Sequence, residues 1–203
     1  MAERTTPVRP WLRIAGIVPL SEATSVTWSV AEGRQGRRWR EASIRDGRLL
    51  AARLIELDPT GRFQRLEEVT SAGMLTLHPD AEGMVAEGNV VLADGVRPLR
   101  FPWGPGHRVF VADSLAATAL AALGLGGEIA LGATAVCRVL YVDRELGVHE
   151  DTLRVERTAE RGWRLSVAGA GFEVAIDLDA DGLPNLPGTV RWPLESEPTE
   201  PDR

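Results

Sequence analysis

The sequence predicts a mainly β protein: a single curved antiparallel sheet, a half-barrel or β-roll of roughly ten strands, with one short apolar helix. Three observations carry this. Most segments alternate apolar and polar residues with period two, the pattern of a strand with one buried face. Asp-Gly and Asp-x-x-Gly turns punctuate these segments. One stretch, Ala112–Gly126, has helical character and no charged side chain between its caps.

That stretch organises the rest. Asp113 or Ser114 can cap its first N–H groups, and Gly124 or Gly126 can end it in a left-handed conformation. A helix apolar all round must be buried or lie against something apolar. At about eleven residues it is too short to span a bilayer, which takes about 20. It is expected to pack into the concave face of the sheet, as a lid over a pocket or a plug within it.

Taken in order, Met1–Pro10 is polar with two prolines and predicts a loose arm before one β-rich domain over 11–194. The apolar run Ile14–Leu20 ends in Pro19-Leu20 without a small-residue cleavage site, so it does not read as an export signal. Thr24–Val30 is rich in β-branched residues and carries Trp28. Arg34–Arg40 is a basic turn entering a strand, and Asp46-Gly47 is the strongest hairpin signal. Leu49–Leu57, Arg62–Thr70, Met74–His78, Met84–Leu92 and Val96–Trp103 follow as strands. Asp94-Gly95, joining the last two, is a second type I′ candidate.

Phe101–His107 holds two prolines and two glycines, which forbid a continuing ladder and predict a shaped loop. Arg108–Val111 reads as a short strand leading into the helix. Beyond it, Ala133–Val142 and Phe172–Leu178 alternate, Thr152–Thr158 is a polar-faced strand, and Trp163, Leu165 and Val167 alternate with Arg164 and Ser166. Leu57–Phe63 and Leu178–Pro184 echo each other: a strand, an Asp-x-x-Gly turn and a return, which shared turn chemistry accounts for. Glu195–Arg203 is acidic and Pro-bearing and predicts a disordered tail.

Composition narrows function. The 203 residues are 44% apolar, enough for a real core, and carry a net charge of −6, which argues against nucleic-acid binding. All 23 basic residues are arginine. The single cysteine, Cys137, cannot form an internal disulfide. No apolar run reaches transmembrane length, so the expectation is a cytoplasmic protein without stable membrane insertion.

Catalytic signatures are absent: there is no Gly-x-Ser-x-Gly elbow and no phosphate-binding loop, and Gly124, Gly126 and Gly127 follow a helix rather than a strand. His78, His107 and His149 each neighbour a turn, without metal-ligand spacing. Asp177, Asp179 and Asp181 lack the downstream bidentate Glu of a calcium loop and read as a solvated face and its turn. No metal, cofactor or catalytic residue is assigned.

Two features point to binding. Arg37, Arg38 and Arg40 surround Trp39, either as a solvated hairpin face or as guanidinium forks for an anionic headgroup over an indole platform. Six Trp against one Tyr and four Phe favour a residue suited to the boundary of an apolar space and water, although cores use Trp too. The candidate ligand-binding set is Trp39, Phe101, Trp103, His107, Leu115, Tyr141, Trp163 and Trp192.

Val139–Val148, Thr152–Arg157, Trp163–Leu165, Phe172–Leu183 and Leu186–Trp192, taken in that order, are similar to the C-terminal half of a bacterial family of glycolipid-binding proteins. In that family a strand ending in Asp-x-Gly-Leu precedes a Pro-Gly-x-Trp close; here the close reads Leu186-Pro187-Gly188-Thr189-Val190-Arg191-Trp192. Ile55–Phe63 matches an earlier strand, and the family's Asn-x-Leu-Pro and Arg-Arg segment is replaced by Phe110–Leu125. The resemblance implies a spiral, lipoprotein-carrier-like β-roll. With it, the expected function is non-enzymatic binding of a lipid or glycolipid-like apolar ligand in the concave face. The alternatives are an interaction module, its pocket filled by its own helix and a surface patch that pairs it into a homodimer, or a hydrolase using His107 with a carboxylate.

Overall fold

The computed structural model describes residues 12–126 and 129–194; the arm at 1–10 and the tail at 195–203 lie outside them. The alternating segments form a meander in chain order: β1 (Leu12–Pro19), β2 (Thr24–Gly33), β3 (Gly36–Arg45), β4 (Arg48–Leu57), β5 (Phe63–Thr70), β6 (Gly73–Pro79), β7 (Val85–Leu92) and β8 (Gly95–Pro102). A distant strand, β14 (Val190–Pro193), adds antiparallel to β1 and completes a nine-stranded sheet. A second sheet has the order β13 (Phe172–Asp177), β12 (Gly162–Val167), β11 (Val148–Arg157), β10 (Thr134–Val142), β9 (His107–Val111). The fold is mainly β, with one helix among the described residues, and the large sheet does not close into a barrel.

Two details differ from the sequence expectation. The strands among the described residues number fourteen and divide between two sheets, and β9 and β10 pair in parallel. The parallel pairing follows from the helix, α1 (Leu115–Gly126). A hairpin cannot join parallel strands; a crossover can, and α1 is that crossover. The uncounted strands include β1, formed largely from the apolar run at Ile14–Leu20, whose Ala15 and Val18 are buried.

Turn chemistry sets the register. Asp46 (φ 50°) and Gly47 (φ 72°) are both left-handed, as a type I′ hairpin requires. At Asp94-Gly95 only the glycine has positive φ (136°), so that turn is not type I′. The sequence echo proves to be one repeated device. The Oδ1 atoms of Asp58 and Asp179 each accept N–H groups two and four residues on, and Asp143 does the same in a third turn.

Register then sorts side chains by face. On the inner face of the large sheet, Val30, Trp39, Ile55, Leu66 and Leu77 lie in one row across β2 to β6. The adjacent inner row reads Glu41, Arg53, Glu68, Leu75, Val90. On the outer face a row with no charge crosses all nine strands: Val190, Ile17, Thr27, Ala42, Ala52, Val69, Met74, Val91, Val96.

The helix lies between the sheets, touching β9 to β13 of the smaller and β3 of the larger. Ala116, Ala117, Ala119, Ala121 and Ala122 are 0–3% exposed, so most of α1 is covered, while Leu120 is half-buried and Gly124 exposed. Alanine is both the best helix former and the smallest helical side chain, which suits a helix that must fit between two sheets. The helix thus fills the inter-sheet space as a plug. Gly182 closes the packing near its C-terminal half: with φ 72°, a Cβ there would lie 2.7 Å from Leu123 Cδ1. No described helix is long and apolar enough to cross a membrane.

Because Ala119 is fully buried, Ala119→Leu is expected to destabilise the fold by about 1–3 kcal/mol through overpacking. Urea unfolding checks this against Leu131→Ala at an exposed position, expected to change stability by less than about 0.5 kcal/mol.

Candidate functional site

The chain passes from the large sheet to the small one through Pro102–His107, and this junction gathers half-buried rings beside an exposed arginine. Trp103 lies 5.5 Å from the Phe63 ring and 5.6 Å from the His107 ring, centroid to centroid. Parallel pairing of β9 with β10 sets Arg138 opposite His107. Gly104, Pro105, Gly106, His107 and Arg138 border a shallow, open depression of about 280 Å³. The loop is held from below: the His107 N–H donates to Gly104 O at 3.0 Å, and the Arg108 guanidinium donates to the carbonyls of Pro105 and His107 at 3.1 and 2.9 Å. His107 Nδ1 is shielded from solvent and has no hydrogen-bond partner among the described residues. Arg138 is exposed, and no ion pair engages it among the described residues.

The other candidates of the sequence reading lie elsewhere. Trp39 is fully buried, 6.0 Å from Trp28 and under the Arg37 guanidinium at 5.5 Å. Trp163 is buried beneath Arg157 at 5.2 Å. Tyr141 is buried in a cluster with Phe110 and Phe172. Leu115 is half-buried in the first turn of α1, and Trp192 sits exposed opposite Ala15. Only Phe101, Trp103 and His107 come to one place, at the sheet junction. The three arginines divide, because alternate residues of β3 face opposite ways. Arg37 turns inward with Trp39, toward Glu32 (3.5 Å) and the Asp181 carbonyl (3.4 Å), while Arg38 and Arg40 are exposed on the outer face, Arg38 paired with Glu56 at 2.5 Å.

The sequence reading missed a buried ionic network. Glu41, Arg53 and Glu68 are direct cross-strand neighbours on β3, β4 and β5, and all three are buried. The Arg53 fork donates to Glu68 Oε1 (2.8 Å), to Glu41 Oε1 (2.8 Å) and to the Ala112 carbonyl (3.1 Å) just before α1. Glu41 Oε2 in turn accepts the Ala116 N–H at 2.9 Å, while Ser114 Oγ caps Ala117 N at 3.0 Å. A carboxylate of the large sheet therefore occupies the N-terminus of the helix, where its charge is best tolerated. The signal was available: Glu41 is in phase with Trp39, Arg53 with Ile55, and Glu68 with Leu66, so each charge sits at an inward position.

The two carboxylates differ. Burial pushes Glu41 upward, and Arg53, the Ala116 N–H and Ser114 pull it back. Glu68 receives Arg53 on one oxygen only, and its Oε2 is buried without a partner. Burial raises it to about 7 against the pull of Arg53, with Glu41 and Asp143 adding repulsion. A carboxyl whose folded pKa exceeds its unfolded value favours the fold in its protonated form, so this contribution is complete below pH 4.5 and is lost as pH rises through about 7. Asp143 has the opposite sign. Burial raises it, but His149 at 3.0 Å and the N–H groups of Gly147 and Glu145 outweigh that, so its contribution is lost on acidification.

Two predictions follow from this network. Between pH 5 and 8 the stability of the native chain, read by urea unfolding, falls, with about 3 kcal/mol of the loss from Glu68, and Glu68→Gln flattens that slope. Arg53→Met strands Glu41 inside the fold and is expected to cost about 3–5 kcal/mol at neutral pH, read by the same unfolding curves.

No family model matches the chain, and no curated protein matches it. It is similar to one solved structure, the crystal structure of a DUF1089 family protein from Pseudomonas aeruginosa, with 18% sequence identity, 89% of this chain and 92% of that chain covered, and a TM-score of 0.49.

Proposed function

We propose that the protein is a non-enzymatic binding protein that takes the polar head of a glycolipid-like amphiphile at the sheet junction. The observation that carries this is the Trp103–His107 pair beside an exposed Arg138 that forms no ion pair among the described residues. Trp103 offers an apolar platform for a sugar face, Arg138 offers several N–H donors to hydroxyl or phosphate oxygens, and the half-buried His107 ring packs against Trp103. A depression of 280 Å³ lies just below the usual pocket range of about 300–1,000 Å³, a size for a headgroup rather than a whole lipid.

The acyl portion does not enter the interior in this reading, because α1 takes the space between the sheets. The same observation favours a second reading, an interaction module whose cavity is filled by its own helix. The two differ in whether the junction binds a small molecule. Calorimetric titration with short-chain glycolipids tests this: Trp103→Ala and Arg138→Ala are each expected to weaken binding by about tenfold, with Trp192→Ala unchanged. Equal binding by all four proteins, or none by the native chain, rejects the headgroup site.

A further inference from the structure

The solvent-facing side of the small sheet extends the junction beyond Arg138. Register puts Thr134, Val136 and Arg138 of β10 on that side, with Thr152 of β11 opposite Arg138 and Arg154 opposite Val136. Ser166 of β12 stands opposite Arg154, and His107 of β9 opposite Arg138. Arg138, Thr152 and Arg154 are exposed, while Leu153 and Val155, which alternate with the last two, are buried, as the pleat requires. Arg138 and Arg154 are therefore diagonal neighbours about 7–8 Å apart along the backbone, close enough for two long side chains to meet one group between them. Arg154 donates to Thr134 Oγ1 at 3.3 Å, and no ion pair engages either arginine among the described residues. Three carboxylates neighbour the pair in the register. Arg164 takes Glu156 and Glu173, at 3.6 and 3.8 Å, and Glu150, diagonal to Arg138 on its other side, is exposed and makes no ion pair with it. The Thr152 and Ser166 hydroxyls beside the arginines make no hydrogen bond among the described residues.

We propose that Arg138 and Arg154 clamp a phosphate ester, so that the head taken at the junction is a phosphorylated sugar; this rests on the headgroup reading above. Like charges side by side on one sheet face repel, and an anion between them reverses the sign of that interaction. The chemistry of the anion follows from the number of donors. A carboxylate has two oxygens and is satisfied by one guanidinium fork, whereas a phosphate monoester has three terminal oxygens and accepts from both forks and from the Thr152 hydroxyl at once. The order of groups along the face suits a sugar joined to that phosphate. Trp103 packs against the His107 ring at 5.6 Å, Arg138 lies one strand spacing of about 4.8 Å beyond His107, and Arg154 lies a second spacing further. The ring end of the head thus meets the indole, and its phosphate meets the arginines.

Calorimetric titration of the full chain with octyl glucoside, with its phosphate monoester and with inorganic phosphate tests the proposal. The monoester is expected to bind at least about tenfold more tightly than octyl glucoside in dilute buffer, a preference that shrinks as salt is raised. Arg154→Gln is expected to weaken monoester binding by about tenfold with an unchanged urea midpoint, while Arg13→Gln, at an exposed position on the large sheet, leaves it as it was. Should Arg154→Gln unfold, Arg154→Lys, which keeps the charge and loses the fork, is read instead and is likewise expected to bind the monoester more weakly. Equal affinity for octyl glucoside and its monoester overturns the clamp and leaves the headgroup reading standing, whereas binding of neither overturns both. Inorganic phosphate held as tightly as the monoester overturns the phosphorylated head in favour of a free-anion site. So does monoester binding that a folded Arg154 variant does not change.

Discussion

The docking of one helix N-terminus onto one buried carboxylate holds the architecture together. Glu41 belongs to the large sheet and the Ala116 N–H to the crossover of the small sheet, so their hydrogen bond ties together elements far apart in the chain. Arg53 strengthens the tie by joining two strands of the large sheet to the carbonyl just before the helix. An apolar contact at this point could slide; a guanidinium fork between two carboxylates and a carbonyl cannot do so without leaving a charge unpaired. The network therefore contributes position more than stability.

Position is what the remaining structure requires. The helix is made of small apolar residues with few distinguishing contours, and alanines alone give little preference for one axial placement over the next. With its first turn held at Glu41, its length carries the chain to Leu123, against which the turn at Gly182 closes. Arg191 and Arg37 then hold the 179–184 segment against the large sheet, with Arg191 bonded to Asp179 and to the Pro184 carbonyl.

Much of this was open to reading from residue order. Period-two alternation located most strands, and the Asp-Gly turn at Asp46 was placed with its type, because both depend on neighbours in sequence. The parallel pairing of β9 with β10 was not, because it depends on where a buried helix delivers the chain. Tryptophan count misled in part: Trp39 and Trp163 are buried under arginines, and among the described tryptophans Trp103 lies at the junction. Arg138 went unnoticed because its significance comes from a parallel register with His107, thirty-one residues away, that no local pattern contains. The inward charges on β3, β4 and β5 were visible in phase, yet each looked like one polar residue in an otherwise regular strand.

The pairing of β1 with β14 bears on how the molecule is made. Ile17 and Val190 are register partners. At about 5–20 residues per second, a ribosome takes roughly ten to thirty-five seconds to travel between them. Throughout that interval the meander can assemble, but its first strand keeps a free edge rich in apolar residues. The Arg13 and Pro19 side chains near the two ends of that strand are the kind of residue that discourages a neighbouring chain from adding there. The sheet thus passes its most adhesive period during synthesis, and β14 ends it.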